Sequence, residues 1–119
     1  MAHDSTRWLP VNLGPAFSPA QSNVWQPPAD VYRTHDGWLI KFDVAGVLPR
    51  DVKLTVEGPR LTLTGTRRDC SIDEGCRHYR MEISYSRFER TVELPETVEP
   101  AQVVCEFWHG MLLVRIEKA

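Results

Sequence analysis

Cys70, Cys76 and His78 are the residues whose types and spacing come nearest to a chemical site. Zinc sites usually open with cysteines two to four positions apart and use four ligands. Here five residues separate the cysteines and only three candidate ligands are grouped, so no metal is expected. A thiol switch fits the stretch better, because Arg68, Arg77 and Arg80 would favour the thiolate of an exposed cysteine. Two unreactive loop thiols are the plainer alternative. His3, His35, His78 and His109 fall in an arm, two turns and a loop edge, without a serine or cysteine partner at motif spacing, and read as solvated side chains. Neither the P-loop nor the dinucleotide-binding glycine pattern is present. The chain therefore reads as no enzyme, with no catalytic residue, no cofactor and no nucleotide.

The background to these residues is an ordinary globular composition: 119 residues, 42% hydrophobic and 25% charged, with a formal charge of -2. That is enough chain for one core. A slightly acidic protein lacks the basic charge that drives binding to nucleic acid or to an anionic membrane, so neither is an expected partner. No apolar run approaches eighteen residues and the start lacks the pattern of a secretory signal. Three cysteines cannot all pair within one chain, which points to a reducing, cytoplasmic setting.

The elements that must position the side chains are strands. Residues 1–29 hold Pro10, Pro15, Pro19, Pro27 and Pro28, which exclude a useful helix, yet also Trp8, Leu9, Val11, Leu13, Phe17, Val24 and Trp25. This reads as a flexible arm suited to docking on another surface. From Asp30 the period is two. Val31 and Tyr32 open a strand, His35-Asp36-Gly37 turns, and Trp38, Ile40, Phe42 and Val44 alternate with Leu39, Lys41 and Asp43. Val52, Leu54 and Val56 follow, then the Gly58-Pro59 turn and Leu61, Leu63 and Gly65. After a polar connection over 66–78, the period resumes over Tyr79 to Tyr85 and again in Phe88, Arg90, Val92 and Leu94. Val103, Cys105 and Phe107, a His109-Gly110 turn, and Leu112, Val114 and Ile116 complete the chain, with Cys105 expected to be a small buried hydrophobe. About eight short strands without a helix predict an all-β, antiparallel, immunoglobulin-like β-sandwich over 30–118.

One residue in this pattern is out of place. Alternation puts Arg90 on the face of Phe88, Val92 and Leu94, where an unpaired guanidinium is costly. Glu82, in the preceding strand, is the predicted partner, within the chain or across a dimer.

Five stretches together resemble the small heat-shock proteins and their α-crystallin domain, from Trp25 to Lys118. Pro28, Asp30, Val31 and Tyr32 are similar to the family's opening, and Asp43-Val44-Ala45-Gly46-Val47 to its D-L-P-G-V. Leu61-Thr62-Leu63-Thr64-Gly65 is similar to L-x-I/L-x-G. Glu82, Ser84, Tyr85, Phe88, Arg90, Leu94 and Pro95 follow its E-R-S-Y-G-x-F-x-R pattern, and Cys105 to Leu112 its A-x-F/Y-x-x-G-x-L hairpin. Ala45, Ile83, Ser86 and Cys105 depart from the proline, arginine, glycine and alanine usual there. The family's tail with its I-x-I/V motif is absent after the last strand, which argues against large cages.

The resemblance implies an ATP-independent holdase that binds non-native client proteins. It also implies a homodimer in which Tyr79, Arg80, Met81 and Glu82, with Arg90 nearby, pair with Val31 and Tyr32 of a second copy, and further association through the arm. A groove between Val52, Leu54 and Val56 and the strand of Val103, Cys105 and Phe107 would take a tail motif. In this chain Leu9-Pro10-Val11 has that chemistry, so Trp8, Leu9, Val11 and Leu13 are the expected docking or client-contact residues. Two alternatives are a co-chaperone adaptor of the related CS-domain type, which should lack the hairpin signature and the long loop present here, and a redox sensor through Cys70 and Cys76.

Overall fold

The computed structural model describes residues 11–13, 24–69, 73–96 and 100–118. It contains β1 (Val11–Leu13), β2 (Ala29–Arg33), β3 (Gly37–Asp43), β4 (Val52–Glu57), β5 (Arg60–Thr66), β6 (Arg87–Glu93), β7 (Pro100–Trp108) and β8 (Met111–Lys118), with a 3-10 turn at Pro49–Asp51. Two four-stranded sheets form, in the orders β1-β4-β5-β6 and β2-β3-β8-β7. All the pairings are antiparallel apart from β1, which runs parallel to β4.

Strict alternation builds the core. Trp38, Ile40 and Phe42 of β3, Leu54 and Val56 of β4, Leu61 and Leu63 of β5, Phe88 and Val92 of β6, and Leu112, Val114 and Ile116 of β8 are all buried between the sheets. Each such side chain contributes about 1.5–3 kcal/mol on leaving water, which is why the inward set decides the register. The β7–β8 hairpin closes through His109 at φ 53° and Gly110 at φ 78°. Two successive positive φ values define a turn whose twist matches that of the strands it joins. At Gly65 a Cβ would collide with the Asp51 carbonyl oxygen and stand 2.6 Å from the Phe88 ring, so only glycine lets the 3-10 turn close over β5.

Alternation misjudges three outward positions, Thr55, Thr62 and Leu113. Thr62 is 3% exposed although it faces away from the core. It sits in the middle of a row in which Thr55, Thr62 and Thr91 are cross-strand neighbours, and its hydroxyl lies 3.3 Å from that of Thr91. Leu113 is 5% exposed on the outer face of the other sheet. Leu39, Lys41, Trp108, Met111 and Arg115 surround it and line a shallow hollow of about 240 Å³. A central strand is screened from water by its neighbours' side chains even on the solvent face.

Candidate functional site at the sheet edges

Sandwiches expose hydrogen-bonding backbone at their outermost strands, so the edges are where this fold can bind another chain. At the edge formed by β4 and β7, Val52, Leu54, Val56, Cys105 and Phe107 point inward and are buried, and Val103 is half-buried. The arm covers this edge. Val11 stands opposite Leu54 and Leu13 opposite Val56, and Val11 packs on the core. Trp8 and Leu9 lie outside the described residues. Of the Leu9 and Val11 pair read from the sequence, Val11 is the described member, and it is seated on the core. Burial pushes the Cys105 thiol up to about 11, so at neutral pH it stays protonated and packs as an apolar group.

The arm touches the opposite edge of the same sheet as well. Trp25 pairs in parallel with Phe88: its amide donates to the Arg87 carbonyl at 3.1 Å, and the Glu89 amide donates to the Trp25 carbonyl at 3.0 Å. The indole meets the Phe88 ring edge-on at 5.6 Å, and Pro27 beyond it is fully buried. Two stretches of the expected flexible arm are therefore seated on the sandwich.

In the second sheet β2 is an edge strand whose Val31 and Tyr32 are each 43% exposed. The segment expected to form a strand over Tyr79 to Tyr85 does not do so in this chain. Tyr79 is 98%, Met81 48% and Ile83 60% exposed. An extended segment becomes a strand only against a second strand, and this one leaves β5 and returns to β6 without meeting an open edge. The predicted Arg90–Glu82 pair is also absent within the chain. Glu82 sits in the exposed loop with its carboxylate 3.9 Å from Arg80, while Arg90 is half-buried opposite Leu63. Arg90 keeps its place between Phe88 and Val92 because β6 is near the sheet margin and a long side chain can carry its head group toward water.

Arg67 went unnoticed in the sequence. Its Nε donates to the Ser84 carbonyl at 2.8 Å, its Nη1 to the Ala45 carbonyl at 3.2 Å, and its amide to the Ser86 carbonyl at 3.0 Å. The guanidinium lies 3.9 Å above the Trp25 ring and 6.0 Å from that of Tyr85. Next to it Arg68 makes two hydrogen bonds to the Asp51 carboxylate, at 3.1 and 3.2 Å. The signal was the β5–β6 register: extending it past Thr66 and Arg87 brings Arg67 beside Ser86.

Cys70 lies outside the described residues, and Cys76 and His78 are exposed. Among the described residues no group of three metal-ligating side chains converges, and no helix is long and apolar enough to cross a membrane.

Comparison with known proteins places these edges in context. Residues 30–119 match the Hsp20/alpha crystallin family. Spore protein SP21 of Stigmatella aurantiaca is 31% identical over 116 residues, covering 93% of this chain and 68% of that protein. Small heat shock protein C2 of Rickettsia felis is 23% identical over 77% of this chain and 60% of its own length. The structure of HSP18.5 from E. histolytica superposes with a TM-score of 0.69 at 26% identity, over 80% of this chain and 89% of that one. Heat shock protein 16.0 from Schizosaccharomyces pombe, at 22% identity, shares the fold with a TM-score of 0.71, over 80% of this chain and 88% of that one.

Proposed function

Because this chain belongs to the Hsp20/alpha crystallin family, we propose that it is an ATP-independent holdase that binds partly unfolded proteins and suppresses their aggregation in the cytoplasm. The observation that carries this reading is the β4 edge, whose cover is the three-residue strand Val11–Leu13. The Val11 side chain packed on the core contributes roughly 1.5–3 kcal/mol before the cost of ordering the segment. Such a cover is displaceable, and an extended apolar segment of a non-native client offers the same backbone bonds and side chains. Clients compete with the arm for that edge. Exchange of a small cover for a client segment needs neither nucleotide nor catalysis.

The working unit is a homodimer. Tyr79, Met81 and Ile83 alternate along an exposed segment outside any strand, and β2 is an edge strand without a neighbour on its far side among the described residues. Pairing Tyr79 to Ser84 with Val31 to Thr34 of a second copy satisfies both, and brings Glu82 of that copy toward Arg90. The arm supports further association.

Light scattering of a heated aggregation-prone protein, with nucleotide absent, tests the activity. The chain should suppress scattering at a few-fold molar excess, and an added Ile-Pro-Val peptide should reduce that protection by occupying the β4 edge. Scattering unchanged by the chain would refute the holdase reading.

A further inference from the structure

Three parts of the chain that are remote in sequence meet at one side chain. Arg67 stacks on Trp25 of the arm at 3.9 Å, holds the Ala45 carbonyl of the turn after β3, and holds the Ser84 carbonyl at the end of the long loop. Ser86, the last residue before β6, receives the Arg67 amide. Trp25 is itself fixed by two backbone bonds to β6 and by the Phe88 ring. The far end of the loop is therefore held by a side chain that also stacks on the docked arm.

We propose that Arg67 and Trp25 are positioning residues for the exchanged segment, coupling arm docking to dimer pairing. With the indole in place, one face of the guanidinium is covered and its planar N–H groups are directed at two carbonyls at once. Without it the long side chain regains rotamers and Ser84 is released. Pinning Ser84 leaves a shorter free loop before it, so Tyr79, Met81 and Ile83 are held at higher effective concentration toward a neighbouring edge. The coupling is reciprocal: a chain whose segment is paired also holds its arm more tightly. This inference rests on the proposed pairing of that segment with a second copy.

A double-mutant cycle in the full chain tests it. Trp25→Leu keeps an apolar side chain and the backbone bridge, Arg67→Met keeps length without donors, and the third variant carries both. Each single change should raise the dimer dissociation constant by about five- to fiftyfold, the span of ordinary coupling, and the double change by little more than the larger single one. Arg67→Lys, which keeps a cation over Trp25 but lacks the two-carbonyl fork, should recover part of the loss and serves in the cycle if Arg67→Met does not fold. Hydrogen exchange of the Arg67 amide, which donates to the Ser86 carbonyl at the pinned end of the loop, should speed up in Trp25→Leu even in isolated monomers. If the wild-type chain never dimerises, the pairing reading fails, and the exchange rates still decide the latch. If it dimerises and the two single effects simply multiply, or exchange of the Arg67 amide is unchanged, the coupling is refuted and the dimer stands.

Discussion

Val11 and Trp25 of the arm and Met81 and Ile83 of the loop are apolar side chains on stretches too short to make a core, yet the first two are half-buried on their own sandwich and the others are 48% and 60% exposed. Composition does not separate them. Reach does. The arm precedes the whole sandwich and meets both margins of one sheet, at β4 and at β6. The loop is tethered at each end to adjacent strands of that sheet, and the edge beside its return point already holds Trp25. The segment that meets a strand edge in its own chain is covered, and the one that meets none stays exposed.

Serine at Tyr79, Met81 and Ile83 together is the strongest way to break the contrast. The dimer should weaken at least a hundredfold, about 3 kcal/mol by the usual conversion, as measured by sedimentation. Since these side chains are exposed, each substitution should leave the unfolding free energy of the monomer within about 0.5 kcal/mol. A large loss of monomer stability would mean that the loop is packed on its own chain.

Removing residues 1–14 tests the covered side. Losing β1 should lower stability by about 1–3 kcal/mol and let an added Ile-Pro-Val peptide bind where the full chain binds it far more weakly. Equal peptide binding by both forms would show that the β4 edge is open in solution.

Arg90 sharpens the comparison between margin and surface. Among the described residues it has no ion pair, whereas Arg60 has an exposed one with Glu93 at 3.9 Å. Arg90→Ala should loosen the dimer by about 1–3 kcal/mol, through loss of a charged pair made only on assembly. Arg60→Ala should change little, as exposed pairs contribute about 0–1 kcal/mol. Equivalent effects in sedimentation and melting would mean that Arg90 is simply solvated.

The smallest effect concerns the end of the receiving edge. Glu96 joins Arg33 of β2 at 3.5 Å and Lys118 of β8 at 3.1 Å. The hydrogen bond from Lys118, then its charge, hold the carboxyl below its ordinary value of 4.5. A carboxylate with a depressed folded value adds stability that is fully present above 4.5 and is lost as the pH falls through the folded value. The melting temperature of the wild type should therefore exceed that of Glu96→Gln slightly at neutral pH, and the difference should fade in acid and in high salt. A gap that widens in acid would contradict this assignment.

Much of the fold was legible because its determinants are local. A period of two in Trp38, Ile40 and Phe42, or in Leu112, Val114 and Ile116, dictates which face goes inward, and His109-Gly110 dictates a tight turn wherever the strands lie. Cys105 was assigned to the interior on the same ground. Tyr79 to Tyr85 shows the limit of that logic. Alternation makes a segment able to be a strand, but a strand also needs hydrogen-bonding partners, and those are supplied by whatever edge the rest of the chain leaves within reach. The parallel pairing of Val11–Leu13 with β4, the bridge from Trp25 to Phe88, and the grip of Arg67 on Ser84 and Ala45 were decided there. So was the burial of Thr62 and Leu113, which alternation assigns to solvent and the neighbouring strands screen from it. The pattern of one stretch carries its own two faces; which backbone edge is free to receive it depends on the positions of residues dozens of places away.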